Sequence, residues 1–175
     1  RTLPICGQAD YRDVFDRFDN DMLKSYDLLY GAERMKNLHL LTTTSGTTGI
    51  PTPYPVFHQT VDAMGEIMGR MGWRAGLRAG DRLAIGYGLS MHAAGTPILY
   101  YYKKIAGVTI IPIGAEAGTE RFLTLLKLFQ VNAITCTPSL ALYLAEKCEE
   151  VLGEPIASLG IEKLLLGAEP GAGIP

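Results

Sequence analysis

From Tyr11 to Leu29, apolar side chains recur every three or four residues, at Tyr11, Val14, Phe15, Phe18, Met22, Tyr26 and Leu29, with Asp13, Asp16, Asp19 and Lys24 between them. That period predicts one amphipathic helix. The apolar run Leu38 to Leu41 predicts a short strand feeding a loop from Thr42 to Thr52. Phe57, Val61, Met64, Met68 and Met71 then mark one face of a second helix, which Gly65, Gly69 and Gly72 either weaken or let pack closely on a neighbour.

The remainder repeats one theme. Strands are predicted at Leu83–Ile85, Val108–Ile111, Val131–Cys136 and Lys163–Leu166. Between them fall a helix from Pro97 to Ile105, a helix near Thr119 with a face of Phe122, Leu125, Leu126 and Phe129, and a helix opened by Pro138 and running through Leu152. Thr119 is the expected N-cap of the second of these, and proline suits the first turn of the third. Short, continuously apolar strands alternating with helices predict an α/β fold, a mostly parallel sheet with helices on both faces. Residues 1–175 read as a single partial domain with no internal boundary. The chain lacks an initiator Met and stops just after a strand where a parallel sheet would ordinarily continue, so it reads as a piece of something longer.

The chain is 47% apolar and 19% charged with a formal net charge of −2, an ordinary globular balance that argues against wholesale disorder. No Lys/Arg block gives a footprint for nucleic acid or an anionic membrane. Residues 83–102 carry no formal charge over a spanning length, yet Gly86, Gly88, Ser90, His92, Gly95, Thr96 and Pro97 break that stretch into strand, turn and helix, so no membrane span is expected. The N-terminus lacks the apolar core of a secretory signal. Three cysteines without a CxxC pair argue against a disulfide framework or zinc knuckle and point to a reducing, cytoplasmic setting.

Ligands of parallel sheets bind beyond the carboxyl ends of the strands. Four such loops, 42–52, 86–95, 137–139 and 167–173, are rich in Gly, Ser, Thr or Pro, and all four are expected to open on one side. The first combines Gly46 and Gly49, which allow close backbone approach, with the hydroxyls of Thr43, Thr44, Ser45, Thr47 and Thr48. Such a bend can wrap a polyphosphate. It is neither a Walker loop nor a GxGxxG fingerprint, and a plain surface turn is the other reading of its composition.

At this loop the chain resembles a known family. Thr44-Ser45-Gly46-Thr47-Thr48-Gly49-Ile50-Pro51-Thr52 is similar to the phosphate-binding signature of the acyl-adenylate-forming (AMP-binding) superfamily, in the form used by phenylacetate–coenzyme A ligases. Gly86-Tyr87-Gly88-Leu89 with Gly95 resembles that family's acyl-pocket loop. Residues 133–146, with Thr137-Pro138-Ser139, also resemble it, and Leu166-Gly167-Ala168-Glu169-Pro170 looks like the segment lining its adenine site.

The resemblance implies ATP-dependent activation of an aryl or arylacetic acid to an acyl-adenylate and then to a coenzyme A thioester, with Mg2+ accompanying ATP. It implies that Thr44, Ser45, Gly46, Thr47, Thr48 and Gly49 bind phosphates. Tyr87, Gly88, Ser90, His92 and Pro138 would border the acid, and Gly167, Ala168, Glu169 and Pro170 the adenine. Alternatives are an adenylating enzyme that loads a carrier protein and a non-catalytic nucleotide-binding piece. A homodimer is left open. Two positions depart from the family pattern: Ile50 stands where a lysine is common and Ser90 where an aromatic is usual. The family's downstream acidic motif and its C-terminal domain with a catalytic lysine do not fall within residues 1–175, so this stretch alone is not expected to complete adenylation, and no catalytic or metal-binding residue is assigned in it.

Other residues take the plainer reading. His92 is expected as a capped or packed histidine beside the acid pocket, and His39 and His58 as surface or packing residues. Tyr100, Tyr101 and Tyr102 point in different directions on a helix, which favours packing over a base-stacking platform. The Met64, Met68 and Met71 stripe is expected in the core. Cys136 is expected as a buried thiol and not a nucleophile. Glu116 and Glu120 are expected to be solvated and without a role.

Overall fold

The computed structural model describes residues 7–19, 21–44 and 51–171. The chain divides into two compact units, Arg1–Thr60 and Val61–Pro175.

The first unit contains helices α1 (Gln8–Asp16), α2 (Met22–Tyr30) and α3 (Ala32–Met35), then strands β1 (Leu38–Thr43) and β2 (Pro53–Phe57). The single helix predicted across Tyr11–Leu29 is therefore two helices. Asp19 takes a left-handed backbone (φ 49°), and the Asp21 carboxylate accepts the Lys24 N–H at 3.1 Å as the N-cap of α2. The apolar period runs across the break because both helices feed one aromatic chain. Ring centroids of Tyr11–Phe15, Phe15–Tyr26, Tyr26–Tyr30 and Tyr30–Phe57 lie 5.3, 5.6, 5.8 and 5.3 Å apart. These are favourable aromatic separations. The Arg34 guanidinium sits 4.8 Å from the Phe57 centroid, and the His39 and His58 rings pack at 4.5 Å.

β1 pairs antiparallel with β2, Thr43 opposite Pro53 and Leu38 opposite Phe57. Phe57 thus ends a strand and does not begin a helix face. The first predicted strand stands in its own two-stranded ribbon, outside the parallel sheet.

The second unit is built on a four-stranded parallel sheet of β3 (Arg82–Ile85), β4 (Thr109–Ile111), β5 (Ala133–Cys136) and β6 (Lys163–Leu166), in the spatial order β4-β3-β5-β6. Helix α5 (Thr96–Tyr101) and a 3₁₀ turn (Tyr102–Lys104) join β3 to β4, α6 (Thr119–Leu128) joins β4 to β5, and α7 (Pro138–Leu152) joins β5 to β6. The period-two alternation of strands sorts side chains onto two faces. Ala84, Ile111, Ile134 and Cys136 pack with Phe122, Leu123 and Leu126 of α6 and Leu144 and Cys148 of α7. Leu83, Ile85, Ala133 and Leu165 pack with Leu77, Tyr102 and Ile105 on the other face.

α4 (His58–Arg74) contributes to that second face through its glycines. A Cβ at Gly72 would lie 2.3 Å from Ile105 Cδ1, and one at Gly65 2.7 Å from Lys104 Cγ. Close approach is therefore the use of these glycines. The buried stripe is Val61, Gly65 and Gly72, whereas Met71 is 47% exposed, so the expected methionine face is rotated away from the core at that end. Thr119 is the first residue of α6 and not its cap; Gly118, at φ +79°, precedes it with no side-chain capping bond. Among the described residues no helix is long and apolar enough to cross a membrane.

At the amino ends of the strands, Asp81 closes the sheet. Its carboxylate accepts from Arg78 N–H (2.7 Å), Asn132 Nδ2 (2.8 Å) and Lys163 Nζ (2.9 Å), and Asn132 Oδ1 in turn accepts the Arg82 N–H at 2.8 Å. Burial works to raise the Asp81 pKa, but the Lys163 ammonium and the two N–H donors outweigh it and hold the carboxyl below its ordinary range. A depressed folded-state pKa gives stability that is present above the unfolded value, near 4, and lost as pH falls through the folded value. Asp81→Ala is expected to destabilise the fold by about 3 kcal/mol. In denaturant titrations the deficit should be flat from pH 7 to 5 and close below about pH 4; a deficit that grew on acidification would contradict this account.

Candidate functional site

β3 and β5 are neighbours, but the chain leaves β3 toward β4 on one side and leaves β5 toward β6 on the other. The loops following them must diverge, and a crevice opens at the carboxyl ends of this pair. Three of the four predicted loops meet there. The fourth, 42–52, belongs to the antiparallel ribbon of the first unit, so the expectation that all four leave one parallel sheet fails: β1 found its partner in β2.

Gly86 continues β3, its N–H donating to Thr135 O at 2.8 Å; a Cβ there would lie 2.8 Å from Cys136 Cβ. This brings the next residue, Tyr87, across the tip of β5. The Tyr87 hydroxyl donates to Cys136 O at 3.0 Å, and Gly167 N–H, just past β6, donates to the same carbonyl at 3.2 Å. One acceptor thus ties three strand ends together. Burial raises the Tyr87 pKa, and its phenol is committed to this bond, so the residue serves as a wall of the crevice.

The second tie runs between the loops after β5 and β6. Thr137 caps α7 by accepting Leu140 N–H at 3.2 Å, Pro138 occupies the first turn, and the Glu169 carboxylate accepts Ser139 N–H at 2.6 Å. The bonds from Ser139 hold the Glu169 carboxyl below its usual range. Ala168, between these anchors, takes a left-handed backbone at φ 71°.

The loop after β3 folds back on itself at Gly95, where a Cβ would sit 1.6 Å from Gly88 O. Only glycine fits. The Thr96 hydroxyl meets the carbonyl of Leu89 and, at 2.7 Å, that of Ser90. His92 is exposed, and its Nδ1 accepts Ala94 N–H at 3.3 Å. The residue that the sequence reading missed is Glu116. Its carboxylate accepts Ser90 N–H at 2.9 Å and lies against Gly88 and Gly114, so it braces the loop and is not merely solvated. Hydrogen bonds from the Ser90 and Glu116 N–H groups hold its carboxyl below the ordinary range. The signal was weak: one acidic residue in a Gly-Ala-Glu-Ala-Gly stretch between strand and helix.

Cys136 is fully buried, and burial pushes its thiol up to about 11, which excludes a thiolate nucleophile at neutral pH. Tyr101 and Tyr102 are buried and Tyr100 is 38% exposed, the mixture of core and rim expected.

In the first unit, the stem of the hydroxyl-rich loop is closed by Thr44 N–H to Thr52 O (2.9 Å) and Thr52 N–H to Thr44 Oγ1 (3.1 Å), below the buried Thr42, whose hydroxyl donates to Tyr54 O at 3.1 Å. Ser45, Gly46, Thr47, Thr48 and Gly49, named above as phosphate-binding, lie outside the described residues.

Solved proteins share this fold. A crystal structure of 2-hydroxyisobutyryl-CoA ligase, in complex with 2-HIB-AMP and CoA, matches 99% of this chain and 35% of its own with a TM-score of 0.82 and 24% sequence identity. O-succinylbenzoate coenzyme A synthetase from Bacillus subtilis, in complex with AMP, matches 79% of this chain and 32% of its own with a TM-score of 0.53 and 20% identity. The fold is shared with these adenylate-forming enzymes, and the chain belongs to the acyl-adenylate-forming superfamily by its sequence likeness to relatives at 30% identity or more. Within it, the sequence is similar to phenylacetate–coenzyme A ligases: that of Escherichia coli (strain K12) is 29% identical over 172 residues, 97% of this chain and 36% of the relative. That of Thermus thermophilus is 34% identical over 127 residues, 73% of this chain and 28% of the relative. The chain spans about a third of the length of these relatives. No protein-family model matches it.

The Glu116 brace is open to a direct check. Glu116→Ala is expected to speed hydrogen exchange at the Ser90 amide at least several-fold while leaving the β3 amides Leu83 and Ala84 protected. Equal exchange in both proteins would remove the brace.

Proposed function

We propose that the chain is part of an AMP-forming acid–coenzyme A ligase acting on an aryl or arylacetic acid. The carboxylate attacks the α-phosphate of ATP, giving an acyl-adenylate and pyrophosphate; the thiol of coenzyme A then attacks the acyl carbon and releases AMP. The observation that carries this reading is the crevice between β3 and β5, where Tyr87 and Gly167 are brought together on the Cys136 carbonyl. Its support is the 29% likeness to a phenylacetate–coenzyme A ligase over 97% of the chain.

In this reading Tyr87, Gly88, Ser90, His92 and Pro138 border the acid. Gly167, Ala168, Glu169 and Pro170 border the adenine, and because the Glu169 carboxylate already serves Ser139, contacts to the base fall to the backbone. Thr44, Ser45, Gly46, Thr47, Thr48 and Gly49 hold the phosphates and keep pyrophosphate in line as it leaves, so positioning and charge stabilisation carry the catalysis. Among the described residues no group of three His, Cys, Asp or Glu side chains could hold a metal ion, and no step is assigned to magnesium through them. The buried, free Cys136 and Cys148 suit a reducing cytoplasm, where ATP and coenzyme A are supplied.

In the intact protein, replacing Thr47 and Thr48 together by Ala is expected to lower carboxylate-dependent ATP–pyrophosphate exchange at least about a hundredfold. Undiminished exchange would remove the phosphate role. Ser90 is exposed where relatives of this type usually carry an aromatic, so Ser90→Phe should narrow the range of acids activated. An unchanged profile across a panel of aromatic and aliphatic acids would place Ser90 outside the pocket.

A further inference from the structure

Tyr102, in the 3₁₀ turn after α5, is 1% exposed, and its hydroxyl oxygen is buried without a hydrogen-bond partner. Packing alone gives that oxygen no use, since a phenylalanine would fill the same space and leave no hydroxyl unmet. The ring belongs to the apolar cluster of Leu83, Ile85, Ala133 and Leu165 on one face of the sheet. Burial raises the Tyr102 pKa; the polar side chains that act on the phenol are Thr135, which works against that rise, and Tyr87.

These two neighbours put the hydroxyl beneath the candidate site. Thr135 directly precedes Cys136, whose carbonyl holds Tyr87, and its own hydroxyl is turned away to Leu165 O at 3.0 Å. The Tyr87 phenol is taken up by Cys136 O. Of the three hydroxyls gathered at this strand end, that of Tyr102 is the one left without a bond. Tyr87, Leu89 and Ile98, half-buried and packed on the same cluster, carry the apolar layer out to the surface. A mostly apolar lining with one placed donor is suited to a ring that bears a single polar substituent.

We propose that Tyr102 is a specificity-determining residue of the acid site, its O–H donating to an oxygen on the ring of an arylacetic acid, at the edge farthest from the carboxylate. The carboxylate must stay at the mouth of the crevice to meet ATP, so the far edge of the ring enters deepest. This rests on the reading of the β3–β5 crevice as an acid site. The test compares 4-hydroxyphenylacetate with 4-methylphenylacetate, similar in size but unlike in the ability to accept a hydrogen bond, in ATP–pyrophosphate exchange by the intact protein and by its Tyr102→Phe variant. The intact protein is expected to favour the hydroxy acid at least about tenfold in kcat/KM. Tyr102→Phe should abolish that preference by losing on the hydroxy acid while the methyl acid stays within twofold. Without ligand the variant should melt no lower than the unaltered protein, because the hydroxyl removed has no bond to lose. No preference in the intact protein, or exchange with other acids but neither of these, would overturn the inference and leave the acid-site reading standing; this arm needs no variant. A preference that survives Tyr102→Phe, or an equal loss on both acids, would also overturn it. Exchange with no acid at all would sink the two together.

Discussion

The parallel pairing of β3 with β5 is the constraint from which the site follows. Leu83, Ala84 and Ile85 lie in register with Ala133, Ile134 and Thr135, and the chain then departs from the two strands in opposite directions. Backbone at the carboxyl ends of such a pair cannot be covered by its own connections. What it leaves is a crevice whose polar backbone groups need partners. Cys136 O takes two, Tyr87 and Gly167, and those two bonds set the relative positions of the loops after β3, β5 and β6. At the opposite end, Asp81 and Asn132 hold the same strands in line with Lys163, so the sheet is fixed from both ends by buried polar groups and along its length by apolar packing.

Much of this was legible in the sequence. The four short apolar strands of the second unit, the helices between them and the proline-opened α7 follow from period and turn chemistry, and the loops at their ends carry the compositions that a ligand site needs. The reasons for the misses are physical. β2 reads as a breaker, since Pro53 and Pro55 cannot donate to a ladder; a two-stranded ribbon tolerates them because one edge of each strand has no partner within it. The break between α1 and α2 carries no glycine or proline, and the aromatic residues on both sides keep the helical period because they serve one cluster.

The site shows the same division. Composition announced Gly95 and Gly86 as loop glycines, but only the fold reveals that Gly95 lies on the Gly88 carbonyl and Gly86 on Cys136. Glu116 gave no signal because its partner, Ser90, is 26 residues away and offers a backbone N–H, a group every residue but proline has. Long-range bonds to generic groups leave no local pattern, whereas loops that must approach a ligand leave glycines and hydroxyls in a row.

A crystal structure of the intact protein with a non-hydrolysable acyl-sulfamoyladenosine would decide the functional account. The account places the adenine against the backbone of residues 167–170 and the acyl group against Tyr87 and Ser90 in the β3–β5 crevice. An analogue that bound with its base and acyl group away from these loops, leaving the crevice to solvent, would contradict it.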